Sequence, residues 1–281
     1  MTTESQIAAR ILSDQEVEAY DLDSLPVQSS IDLNNLYDLP PELREPVLIS
    51  MAEQSGDLAC MLALTDLYLI EKDQPELAKP WLDKMLAQDY LPAYASEAQM
   101  YMFGKYYQQD LDKAITLFER LAERYIAAED YQQYAAPLAF CYLSLAQIYQ
   151  AQQNIAMMMM HYFNALQLSD SETADHLANI FHPEIDVDPA SKSLLVVLHC
   201  VFLTLAVDFI HQRCDAVDDD QQRNIMLLNY VAKKGETLET IASYELTAKQ
   251  SQQADALVKA WHDGDHQLLI EAAMAYVNGA S

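Results

Sequence analysis

The sequence predicts an all-α protein built as a helical repeat array, and three observations predict it. The stretch from Ala93 to Ala122 places apolar residues at steps of three and four on both sides of one glycine, Gly104. The segments before and after it look like altered copies of the same unit. Only five glycines occur in the whole chain, at 56, 104, 235, 264 and 279. That is too few for the tight turns of an all-β fold, and they are too scattered for a phosphate-cradling loop.

Within the central unit, Ala95, Ala98 and Met102 form one helical stripe and Tyr94, Glu97 and Tyr101 another. The small side chains at Ala95 and Ala98 admit a neighbouring helix at close range. Gly104 is expected to end this helix, because glycine takes the left-handed cap conformation without strain. Asp110 is placed to cap the next helix by accepting from its free amides. Leu111, Ala114, Ile115, Phe118, Leu121 and Ala122 then form an apolar face.

The spacing of Tyr101, Gly104, Asp110, Lys113 and Ala114 resembles the second half of a Sel1-like repeat, a relative of the tetratricopeptide repeat. Tyr106 and Leu117 stand where that family usually has a second glycine and a tryptophan. Met51 to Gln88 resembles a second copy, in which Gly56-Asp57 makes the entering turn, Tyr68 matches Tyr101, and Ala78 with Trp81 matches Ala114 with Leu117. Its internal turn is three residues shorter and lacks the glycine. Leu145-Ala146, Tyr149, Met158, Tyr162 and Ala165 resemble a plain tetratricopeptide repeat. Tyr68 and Tyr101 are 33 residues apart and Tyr149 follows 48 later, so half a helix is inserted near residues 123–137. The resemblance implies a right-handed α-α superhelix over residues 51–170. Residues 1–50 read as an N-terminal helix and acidic arm, and residues 171–281 as a C-terminal helical bundle.

The formal charge is −27, from 16 Lys and Arg against 43 Asp and Glu. No Lys or Arg occurs between Arg124 and Lys192. Nucleic acid and anionic membranes are therefore excluded as expected partners, since binding phosphates needs a basic footprint. Two readings of the acidity stand side by side: solubility, and steering of a basic protein partner. The start of the chain, with Glu4 and no apolar core, does not read as a signal peptide. Cys60, Cys141, Cys200 and Cys214 are scattered through helical patterns, as small buried residues in a reducing compartment are. A cytoplasmic location is expected.

In chain order, a short helix is expected over Glu4 to Leu12, then the acidic, proline-punctuated arm. A helix carrying Leu43, Val47, Leu48 and Met51 is expected after Pro40-Pro41, where proline suits the first turn. After the repeats, Pro183 and Pro189 break the chain. Leu194 to Ile210 is the most apolar segment. It is shorter than the roughly 20 residues of a membrane span and contains His199 and Asp208, so it reads as a central core helix. Further helices are expected over Gln221 to Lys233, Thr237 to Lys249, Ala254 to Trp261 and Gln267 to Val277, with turns at Gly235 and Gly264.

Residue types suggestive of chemistry are present, but their spacing argues for structure. Glu184, Asp186 and Asp188 alternate like calcium ligands, yet an EF-hand loop begun at Glu184 has Pro189 and Leu195 where glycine and glutamate belong. His199, Cys200, His211 and Cys214 are zinc-ligand types, but Cys200 and His211 on one helix lie about 16 Å apart along its axis. His262 and His266 flank Gly264, which breaks the helix they would need to share. Pairs such as Glu129-Asp130 and the run Asp218 to Asp220 read as caps and solvated turns. No nucleophile elbow occurs. No enzyme activity, cofactor or metal is expected.

The function expected is non-catalytic protein binding by an adaptor, scaffold or dedicated chaperone, for a partner with a basic or amphipathic segment. An alternative is an acidic inhibitor, such as an immunity protein or antitoxin, covering a basic surface. Repeats of the resembling families bind along the first helix of each pair, at positions two before and one after the key tyrosine. That resemblance implies Asp66 and Leu69, Gln99 and Met102, and Gln147 and Gln150 as partner-binding residues. The row lacks the Lys and Arg that grip a terminal carboxylate in chaperone-docking relatives. Of the Met157–Met160 run, core filling and a pliable partner surface are both compatible readings.

Overall fold

The computed structural model describes residues 41–128, 131–185, 189–217 and 220–279. The expected N-terminal helix and acidic arm up to residue 40 lie outside them, as do Glu129, Asp130, Asp186, Asp188, Asp218 and Asp219. The described residues are all helical, with twelve α-helices and no strand among them. The chain divides into two compact units, Met1–Gln88 and Asp89–Ser281.

In the first unit, α1 (Pro41–Ser55), α2 (Leu58–Asp66) and α3 (Pro75–Leu86) pack in sequence. Gly56 turns the chain at φ +68, and the Asp57 carboxylate accepts from the amides of Ala59 and Cys60 to start α2. α2 ends in one widened π turn, Leu67–Glu71. Asp73, at φ +51, then takes the left-handed conformation that Gly104 also takes, at φ +69. Polar side chains pin α1 to the π turn. Arg44 grips Glu71 with two hydrogen bonds of 2.8 Å, and Glu45 accepts from Lys72 and from the Tyr68 hydroxyl.

The second unit opens with the helix pair that dominates the sequence, α4 (Leu91–Phe103) and α5 (Leu111–Ile126). Gly104 caps α4 at φ +69, and Asp110 starts α5 by accepting from the Lys113 amide at 2.9 Å. A Cβ at Gly104 would lie 3.2 Å from that of Gln109, so space as well as backbone angle favours glycine. A 3₁₀ turn, Tyr131–Tyr134, leads into α6 (Ala135–Ala151). α6 pairs with α7 (Ile155–Leu166), followed by α8 (Ser171–Ile180). Asn154 and Asp170 cap α7 and α8.

The apolar run becomes α9 (Pro189–Asp215), long and apolar enough on length and composition to cross a membrane. Leu195, Val197, Leu198, Val201, Phe202 and Leu205 are nevertheless fully buried in protein. α9 packs against α8, α10 (Asp220–Ser243), α11 (Ala248–His262) and α12 (His266–Gly279). One expectation is overturned here. Gly235 makes no turn and lies inside α10, which runs unbroken to Ser243. A helical glycine costs only about 1 kcal/mol, and stronger signals stand further on: Glu245 at φ +46 and the Thr247–Gln250 capping box that starts α11.

Candidate partner-binding surface

The six residues singled out by the resemblance fall into two kinds. Leu69 and Met102, each one past its tyrosine, are buried core side chains. The reason is local: Met102 continues the Ala98 stripe one helical turn on and packs with Ala114 and Phe118. Leu69 lies in the middle of the π turn, between core residues Leu67 and Tyr68 and the exposed Ile70. These two therefore supply packing beneath a surface and not its lining. Asp66, Gln99 and Gln147 are half-buried, and Gln150 is exposed. The Gln150 amide oxygen accepts from the Tyr162 hydroxyl at 3.1 Å. Gln99 on α4 and Gln147 on α6 belong to helices in contact within the second unit, whereas Asp66 belongs to the first unit.

The key tyrosines are structural. Tyr68 is buried, and its hydroxyl donates to Glu45 at 2.6 Å. Tyr101 stacks on Tyr107 with ring centroids 4.3 Å apart, and Lys113 donates to its hydroxyl at 2.6 Å. Tyr149 stacks on the His161 ring at 5.4 Å, nearly parallel.

Asp66 has the most unusual electrostatics of the six. Burial alone pushes its carboxyl up from 3.8 to about 6, with no cation or donor opposing it. Among the described residues its side chain has no hydrogen bond or ion pair. It immediately precedes the π turn, a distortion common at functional sites. Glu45 is the contrast: hydrogen bonds from Lys72 and Tyr68 hold it below the usual carboxylate range.

The histidines and cysteines weighed as metal ligands are differently disposed. His199 is buried, with Nδ1 2.8 Å from the Ala178 carbonyl oxygen and Nε2 3.3 Å from the Tyr244 hydroxyl. That pattern fits a ring protonated on Nδ1, donating to Ala178 and accepting from Tyr244. Cys200 and Cys214 are buried, and burial pushes the Cys200 thiol up to about 11. His262 Nε2 lies 2.9 Å from an Asp208 oxygen, and His266 stacks on Trp261. No cluster of three or more His, Cys, Asp or Glu able to hold a metal occurs among the described residues. In the methionine run, Met158 and Met159 are core and Met160 is exposed.

A signal that residue spacing did not reveal is the use of the cations. Arg44, Lys72, Lys79, Arg124, Lys233 and Lys259 are each engaged with an acid of the same chain. The acidic excess is thus left facing solvent with much of the basic complement already committed. No protein-family model matches the chain, and no curated protein matches it.

Proposed function

We propose that this chain is a non-catalytic protein-binding module, an adaptor, scaffold or dedicated chaperone, that takes a basic or amphipathic segment of its partner. On this reading residues 51–170 form a right-handed superhelix of Sel1-like and tetratricopeptide-like repeats, and Asp66, Gln99, Gln147 and Gln150 offer the polar contacts. The observation that carries the reading is Asp66. It is a half-buried carboxylate without an internal partner, in a chain of charge −27. Holding such a group unpaired costs stability, and a cation brought by a partner would relieve that cost. The glutamines add neutral donors and acceptors suited to a peptide backbone.

The test is a native pull-down at low and high salt with the wild-type chain, an Asp66→Asn variant and a Gln99→Ala/Gln147→Ala variant. A stoichiometric partner retained by wild type and lost by either variant at low salt supports the proposal. A partner lost only to high salt, with both variants binding normally, moves the function to an acidic inhibitor acting through its overall field. No stoichiometric partner at either salt refutes protein binding as the function.

A further inference from the structure

α10 is the helix that the core does not account for. It packs along α9, but none of its side chains joins the main apolar cluster of α6 to α9, α11 and α12 among the described residues. Thr237 is the one buried residue it contributes among them. Polar ties hold it instead. Lys233 pairs with Asp175 of α8 at 2.9 Å, and Tyr244, one residue past the helix end, reaches the buried His199 of α9. Nδ1 of His199 must carry the hydrogen, because the Ala178 carbonyl 2.8 Å away can only accept. Nε2 then holds a lone pair, and the Tyr244 hydroxyl donates to it at 3.3 Å. A second histidine stands against the first. His182, in the connector after α8, meets His199 edge to face with ring centroids 4.9 Å apart. His182 Nδ1 accepts from the Glu184 amide at 3.3 Å, and the Glu184 carboxylate lies 4.0 Å from the same nitrogen. Cys200 and Glu184 are the titratable neighbours of the Tyr244 hydroxyl besides His199. Only His182 and Tyr244 face His199 as titratable groups, and none does so from α11 or α12 among the described residues.

We propose that His182 and His199 form a proton-operated latch, closed at neutral pH, that frees the α10–α11 turn from α9 in acid. A proton can enter His199 only at Nε2, the atom that accepts from Tyr244. The acceptor becomes a donor, the Tyr244 O–H loses its partner, and a cation is created in a buried place. His182 widens the response. A proton on its ring is matched by the Glu184 carboxylate beside it, but that charge then lies against the His199 ring. The closed latch therefore holds one proton on two adjacent rings, and the open latch holds two. Burial, the largest influence, keeps His199 below the ordinary 6.5; the Ala178 acceptor opposes it and His182 adds to it. A group with a lower pKa in the closed state favours closure at high pH, and that advantage is lost as pH falls below the open-state value. The Asp175–Lys233 pair ties the middle of α10 separately, so the freed segment is the end of the helix and the turn to Thr247.

The latch is independent of the binding function above and is tested on the full chain by amide hydrogen exchange, corrected for the intrinsic rate at each pH. Protection over residues 238–247 should fall by up to about tenfold per pH unit between about pH 6.5 and about pH 5, the slope of one proton, while residues 195–205 of α9 stay protected. His199→Gln keeps a donor for Ala178 and an acceptor for Tyr244 but takes no proton, and it should make protection of the turn indifferent to pH. His182→Gln should weaken the acid loss, and Tyr244→Phe should lower protection about fivefold already at pH 8. His182 and Tyr244 are half-buried, so these two variants carry the test if His199→Gln does not fold. A turn whose protection follows that of α9 from pH 8 to pH 5 overturns the proposal. So does a His199→Gln or a His182→Gln chain that loses protection in acid as steeply as wild type. A Tyr244→Phe chain as well protected as wild type at pH 8 overturns it equally.

Discussion

Asp66→Asn should stabilise the first unit at neutral and alkaline pH. Burial raises the Asp66 carboxyl from 3.8 to about 6. A shift of that size corresponds to about 3 kcal/mol against the folded, ionised form once pH is above both values. Asparagine removes the charge but keeps a desolvated polar group, which takes back part of the gain. The net gain expected at pH 8 is about 1–2 kcal/mol. The pH dependence identifies the cause. Between pH 4 and 6 the folded state binds a proton that the unfolded state has released. Wild-type stability therefore rises as pH falls through that window, and the advantage of the variant shrinks with it. The assay is urea unfolding followed by Trp81, which lies on α3 of the same unit, in a Trp261→Phe background that silences the other tryptophan. A variant that is less stable at pH 8, or an advantage that does not change between pH 8 and pH 5, would refute the reasoning.

Other consequences are as direct. His161 is buried with neither ring nitrogen hydrogen-bonded, and burial holds its pKa below the ordinary 6.5. His161→Phe keeps the stack on Tyr149 and should add about 1 kcal/mol at pH 7, and more at pH 5, measured by urea titration followed through Trp261. Gly104→Ala should cost about 1–2 kcal/mol because its φ is +69 and Gln109 crowds the new methyl, whereas Gly235→Ala, helical and open, should gain about 0.5–1 kcal/mol. Thermal melts of the two variants should therefore move in opposite directions. Tyr244→Phe removes the hydroxyl facing His199 Nε2 and should cost about 1 kcal/mol in the same urea assay.

The central helix pair was legible because its punctuation is local. Gly104 and Asp110 act through their own backbone angle and side-chain oxygen, without tertiary help. α9 was legible because a long uncharged run has few alternatives to burial. The turns between the other helices were harder to place, since they use residues with no strong turn signal. Asp73, Asp89, Gln153 and Ser169 all adopt positive φ where a glycine would have announced the bend. Gly235 carried the reverse error: its local preference was outweighed by continued packing of α10 and by the stronger stop before Thr247. At the candidate surface, the offset taken from the resemblance set Leu69 and Met102 on a groove, yet both side chains are buried, Leu69 in a π turn and Met102 in a regular helix, while Asp66 stays half-open. The lack of a partner for Asp66 was not legible at all, because it depends on which side chains fold near it.

The buried titratable groups give the two units opposite responses to acid, and this separates local chemistry from a general effect of charge. Lowering pH from 8 to 5 removes the penalty on Asp66 in the first unit. In the second unit the same change asks His161 and His199 to take up protons that burial opposes, so stability is lost as pH falls below the ordinary 6.5. Glu45 acts against the first trend only lower down. Its pKa is held below 4.5, so its contribution is retained above that value and lost on further acidification. Simple relief of repulsion in a chain of charge −27 would instead favour both units as carboxylates protonate. The urea midpoint seen by Trp81 should therefore rise relative to that seen by Trp261 between pH 8 and 5. Parallel movement of the two midpoints would mean that the net charge, and not these buried groups, governs the acid response.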